Sequence, residues 1–184
     1  MKNTARIYVS AILLFALGSI SQLTAQDDKS TRPSPPATAT ATTGDLTIKI
    51  DYSSPGVKGR QVLGKLIPDG KIWRLGANEA TTFEVNKDVL VEGQKLAAGK
   101  YAMFSMQDGG DWTIIFNTVP NQWGAYKYDE SKDALRVVVS PGKTDDMVER
   151  MAFKIEATKE GAAEVLFNWE YIEVKFDVAA ADQK

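Results

Sequence analysis

Cysteine and histidine are both absent from the 184 residues. Without cysteine there is no disulfide framework, no thiolate metal site and no lipid-modified N-terminal cysteine. Without histidine the usual general base near neutral pH is missing, and with it go the Ser-His-Asp and Cys-His nucleophiles and the ordinary zinc and iron triads. What survives is chemistry built from carboxylates, Lys, Arg, Tyr, Ser and Thr, or an all-oxygen Ca²⁺ or Mg²⁺ site. An excess of positive charge is lacking too: 22 Lys+Arg stand against 24 Asp+Glu, which argues against a nucleic-acid partner. A chain of this size can still bury a single core by packing alone.

Long apolar runs are scarce, and the one present, residues 7–20, follows Lys2 and Arg6 and precedes SQLTAQ. That is the layout of a secretory signal peptide, and the run is too short to span a bilayer comfortably. The expectation is a signal peptide over residues 1–25, cut after Ala25, and export to a periplasm or beyond, with no membrane association after cleavage. Removing a segment with two bases and no acid takes the net charge from −2 to −4.

Residues 26–43, QDDKSTRPSPPATATATT, are poor in bulky apolar side chains and cannot bury enough surface to fold alone. They read as a tether or extended arm, stiffened by Pro33, Pro35 and Pro36, whose alternating Ala and Thr could lie along a sheet edge.

From residue 44 to 178 the period is two. DLTIKIDY places Leu46, Ile48, Ile50 and Tyr52 on one face and Thr47, Lys49 and Asp51 on the other. SSPGVKGR and PDGK are turns, and VLGKLI and IWRL are short apolar pieces. TTFEV and VLVEG flank NKD, while KLAAGKYAMFSM leads through QDGGD into WTIIFN as a hairpin. ALRVVV, AFKIEA, AEVLFNW and VKFDV complete about ten short strands, predicting one all-β antiparallel sandwich of jelly-roll or immunoglobulin-like type, with residues 179–184 as a tail. Only DDMVERMA, residues 145–152, has helical character.

The densest cluster of functional side chains is KIWRLGANEATTFE. Trp73 and Arg74 point to opposite faces if the segment is a strand, and Gly76 to Asn78 offers a bend that returns Glu79 toward the guanidinium. Either Arg74 grips an anionic or polyhydroxyl group while Glu79 accepts hydrogen bonds, or the two form a purely structural pair. A second cluster, NQWGAYKYDE, carries Trp123, Tyr126 and Tyr128. Flat rings among amides and carboxylates suit sugar stacking, and they equally suit plugging the end of a sandwich. The turn acids Asp108, Asp111, Asp129, Glu130 and Asp133 have no calcium-loop spacing, so no metal is expected, and no cofactor. Asp145 and Asp146 read as helix caps.

In this order, RPSPPATA, DYSSPGVKGR, VLGKLIPDGKIWRLGANEATTF, LAAGKYAMF, DWTIIFN and QWGAYKYDE resemble a family of exported bacterial domains of unknown function, number 2911, over about residues 32–178. The resemblance implies a single β-domain behind a signal peptide, with the proline arm belonging to it. It supplies no activity, substrate or catalytic residue.

Three functions remain open. The first is a non-catalytic binding or structural module of the cell envelope, with Trp73, Arg74, Asn78 and Glu79 lining a shallow site and Trp123, Tyr126 and Tyr128 as its rim, for a carbohydrate or other polar small ligand. The second is a carboxylate-based glycoside hydrolase using Glu79 with Asp129 or Glu130. The third is an interaction module whose proline arm joins an envelope protein.

Overall fold

The computed structural model describes residues 28–181. The expected signal peptide, residues 1–25, and residues 182–184 of the expected tail lie outside them. Eleven strands form two antiparallel sheets, so the period-two pattern does build an all-β sandwich. The first sheet holds β1 (Pro36–Thr43), β2 (Leu46–Ser53), β4 (Thr81–Val85), β7 (Gly99–Asp108), β8 (Asp111–Asn117) and β9 (Asp133–Val139) in that spatial order, and the two-residue β3 (Ile72–Trp73) also pairs with β7. The second runs β10 (Gly142–Lys159), β11 (Ala162–Ala180), β5 (Val89–Val91) and β6 (Gln94–Leu96).

Alternation places the core. Leu46, Ile48 and Ile50 are fully buried between the sheets, while Lys49 and Asp51 face outward, where they form an ion pair at 2.8 Å. Aromatic rings fill much of the interior. Trp73 stacks on Trp169 with centroids 5.8 Å apart and meets Trp112 and Phe167 edge-on at 6.2 and 6.1 Å. Offset and edge contacts of this kind add to the large area such rings remove from water.

The predicted hairpin is the β7–β8 pair. Asp108 faces Asp111 across Gly109 and Gly110, whose φ of +63° and +109° only glycine adopts without strain.

The second half of the Pro/Ala/Thr arm is β1, paired with β2 over its whole length from Pro36↔Ser53 to Thr43↔Leu46. Pro36 begins the strand on the sheet's edge, where a missing N–H is tolerated. TTFEV and VLVEG, neighbours in sequence, lie in different sheets as β4 and β5. VLGKLI is not a strand: Leu66 and Ile67 both donate backbone N–H bonds to the Val62 carbonyl, making a turn that buries Val62 and Ile67. AEVLFNW and VKFDV belong to one long β11, kinked at Glu170, where φ is +57°.

DDMVERMA is also not a helix, and Asp145 and Asp146 cap none. It is the bulged middle of β10, whose pairing with β11 slips between Lys143, Val148 and Ala152. The extra β10 residues that the bulges accommodate mimic a helical spacing. What settles the segment is tertiary: Val57 donates to the Glu149 carbonyl at 2.8 Å, Met151 donates to the Pro55 carbonyl at 3.0 Å, and Met151 is fully buried.

One irregularity positions the candidate site. Trp73 of β3 pairs with Ser105 and Thr81 of β4 pairs with Met103, so β3 and β4 are two pieces of one line along β7. All of residues 74–80 stand opposite the single residue Phe104, as one outsized bulge. A second excursion, residues 118–132 between β8 and β9, lies over the same outer face. Beneath it Ala102, Phe104 and Ile115 are buried together with Ala80, packed by Ile72, Ala125 and Tyr128.

Candidate functional site

The two excursions are joined through their backbones. Ala80 donates to the Gln122 carbonyl at 3.0 Å and Gly124 donates to the Asn78 carbonyl at 3.1 Å, pairing Glu79 with Trp123 as an isolated bridge. The charged bend therefore does rest beside the aromatic loop. The bend itself is tightly made: Leu75 and Asn78 hold φ of +51° and +57°, which costs non-glycine residues on the order of 1 kcal/mol or more each. The Thr81 hydroxyl donates to the Leu75 carbonyl at 2.6 Å. At Gly76 an added Cβ would sit 3.0 Å from the Ser53 carbonyl oxygen, so the close approach needs glycine.

The loop 118–132 is closed at its base by Asn117, which is fully buried. Its Nδ2 donates to the Asp129 carbonyl and to Asp133 Oδ1 at 3.0 and 2.8 Å, and its Oδ1 accepts from the Val119 N–H at 3.1 Å.

The arm supplies a third wall. Asp28 caps a short 3-10 turn, Lys29–Thr31, by accepting from the Ser30 N–H and hydroxyl. This places Lys29 Nζ 2.9 Å from Glu79 Oε1 and Arg32 Nη1 3.1 Å from both Glu79 oxygens. The Arg32 guanidinium also lies 6.0 Å from the Trp123 ring centroid, within cation–π range. Asn78 Nδ2 donates to the Ser34 carbonyl at 3.0 Å, and Ser54 donates its backbone N–H to the Pro35 carbonyl at 2.8 Å.

Between arm, bend and loop runs a groove of about 410 Å³, within the usual range for small-molecule sites. Pro36, Tyr52, Ala80, Pro120 and Trp123 give it apolar surface, and Lys29, Asp51, Glu79, Thr82, Lys100 and Gln122 give it polar groups. Trp123 is 55% exposed and presents its ring at the rim.

The groove's carboxylates are held ionised. Partial burial works against the Glu79 carboxylate, but hydrogen bonds from Lys29, from its own backbone N–H and from Arg32 outweigh it and lower the pKa to about 2. Burial likewise opposes Asp51, and hydrogen bonds from Lys49 and Thr38 bring its pKa below the ordinary value. Lys100 lies 3.8 Å from Asp51 and 3.5 Å from Glu84, extending a row of alternating charge across the outer face.

The predicted residues divide. Glu79 and Trp123 meet at the groove, whereas Asn78 stands next to it and spends its side-chain amide on the Ser34 carbonyl. Trp73 is in the inter-sheet core and outside the groove lining. Arg74 and Glu79 do not pair, because Glu79 is taken by Lys29 and Arg32. Arg74 lies with Tyr126 away from the groove lining. Tyr128 is half-buried edge-on against Phe104 at 5.1 Å, its hydroxyl donating to Asp133 Oδ2 at 2.5 Å and accepting from Arg136 Nη2 at 2.6 Å. Burial first, then Asp133, pushes that phenol up to about 12, with Arg136 opposing. Sequence reasoning missed Lys29, Asp51, Thr82 and Lys100. The outward half of the β2 alternation pointed to Asp51, whereas nothing local linked Lys29 to a bend fifty residues later.

Asp129 caps a second 3-10 turn, Glu130–Lys132, and Glu130 pairs with Arg136 at 3.2 Å; neither lines the groove. No cluster of three metal-binding side chains occurs among the described residues, and no helix among them is long and apolar enough to cross a membrane.

Fold and site together define a cysteine-free antiparallel β-sandwich with a shallow aromatic and charged groove on the outer face of one sheet. The sequence matches a family model described as protein of unknown function (DUF2911) over residues 34–178, and the chain belongs to that family. No curated protein and no solved structure matches it.

Proposed function

We propose that this is an exported, non-catalytic binding module of the cell envelope, whose groove takes a small polyhydroxyl ligand such as a mono- or disaccharide. The carrying observation is the exposed Trp123 ring standing over a groove rimmed by the pre-ordered polar groups of Glu79, Asp51, Thr82 and Lys100. A sugar's C–H face stacks on such a ring while its hydroxyls meet fixed acceptors and donors. Glycosidase chemistry fits less well. It needs one carboxylic acid kept protonated by a raised pKa, and both groove carboxylates are shifted the other way.

The test is a saccharide titration followed by tryptophan fluorescence and NMR. Wild type is expected to bind with a dissociation constant on the order of millimolar to tens of micromolar. Trp123→Ala should abolish the signal without unfolding the protein. Turnover of a glycoside panel lost in Glu79→Gln would overturn the non-catalytic reading in favour of the hydrolase. Cell fractionation tests export: recovery of the protein in the cytoplasm with residues 1–25 intact contradicts it.

A further inference from the structure

We propose that Arg74 is the receptor for an oxyanion, a carboxylate or phosphate group of a small molecule, at a second site beside Tyr126 and outside the groove lining. The inference rests on Arg74 and its surroundings and not on the groove reading.

Every other described arginine is supplied with acceptors by the protein itself. Arg32 has Glu79, Arg60 has the Gly56 and Val57 carbonyls, Arg136 has Asp133, Glu130 and Tyr128, and Arg150 has the Ser54 carbonyl. Arg74 alone among them donates to no acceptor. Its Nε is sealed from solvent without a partner, while its terminal nitrogens are not among the sealed atoms. A half-buried cation left so is an unfavourable element of a fold, and its cause lies in the backbone. Trp73 is anchored in the core, so alternation forces Arg74 to the outer face. Beyond it the chain is pinned by the Thr81 N–H bond to the Arg74 carbonyl at 3.2 Å and by the strained Leu75. The side chain is thus presented at a fixed place, on the face where Tyr126 stands 86% exposed.

The chemistry follows. The end of a guanidinium offers two parallel N–H donors that match the two oxygens of a carboxylate or phosphate. Burial disfavours the charged form of Arg74, so a bound anion relieves a penalty the empty site carries. Tyr126 offers a ring and a hydroxyl to whatever the anion is attached to.

The experiment is an NMR titration of the ¹⁵N-arginine side-chain signals of the full chain with sodium phosphate and, separately, sodium acetate, at constant ionic strength set by chloride. One arginine signal should shift and saturate in the millimolar range, and it should be the signal missing from Arg74→Met. The stronger of the two anions identifies the headgroup. Thermal denaturation in chloride gives the second arm: Arg74→Met should melt at or above the wild-type temperature, because it removes an unpartnered buried nitrogen. No saturating signal up to tens of millimolar of either anion overturns the proposal. So does a fall in melting temperature of several degrees in Arg74→Met, which would reveal a structural partner. The groove reading survives either failure, since its readout is Trp123.

Discussion

Glu79 lines the groove and is tied to the arm by Lys29 and Arg32, and the pH dependence of that tie has a definite sign. Its pKa in the fold is about 2 against an ordinary 4.5, so the folded state binds the proton less readily than the unfolded one. The stabilisation from Lys29 and Arg32 is therefore full above about pH 4.5 and is lost as the pH falls toward 2. The side chain is 39% exposed and screened by solvent, so the effect is modest, about 0.5–1 kcal/mol, or a few degrees of melting temperature. Melting curves between pH 2 and 5 should show wild type losing that increment relative to Glu79→Gln, with the gap narrowing at high salt. Trp73 and Trp123 should behave oppositely under truncation. Trp73→Ala removes the centre of an aromatic cluster and should cost about 3–5 kcal/mol in urea denaturation, whereas Trp123→Ala, at an exposed rim, should stay within about 1 kcal/mol.

At the scale of elements, the arm and the loop are the two segments to perturb. Deleting residues 28–35 removes the strap over the groove but leaves β1, and should lower stability slightly. Extending the deletion to residue 43 strips the β1–β2 ladder and leaves β2 as a raw edge, so thermal scans should show a large loss together with aggregation. Asn117→Ala takes the amide donor from Asp133 Oδ1 and from the Asp129 carbonyl and the acceptor from the Val119 N–H, and should cost about 1–3 kcal/mol, read by chemical denaturation. These elements also mark what could be read in the sequence. β2 and β4 announce themselves, since one face of each is buried and the alternation is clean, while β7 and β8 do so as apolar runs joined by a Gly-Gly turn, buried on both faces through their middles. The helical look of residues 145–152 misleads because bulges change the spacing and because the partners that fix it, Pro55 and Val57, are about ninety residues away in the chain. The juxtaposition of Glu79 with Trp123 could be suspected from composition, yet the competition that gave Glu79 to the arm rather than to Arg74 is a property of the folded sheet. Trp73 looked like a site residue because a cluster of functional side chains in sequence says nothing about which faces they take.

For the whole molecule, the groove belongs to one end of the sandwich. Lys29 and Pro36 border it, while the opposite end of β1 meets the β10–β11 turn, where the Gly161 N–H donates to the Thr43 hydroxyl at 3.2 Å. The last strand finishes there too, with Ala180 donating to the Gly161 carbonyl and Ala181 to that of Asp88. The two ends of the described chain are thus separated by roughly the length of β1, about 20 Å or more. A purification handle or fusion partner placed ahead of Asp28 would emerge at the mouth of the groove and crowd whatever docks there, while one attached beyond Ala181 would hang from the other pole and leave that mouth open. Immobilising the protein by its trailing end is therefore the orientation in which a surface-based screen can meet Trp123.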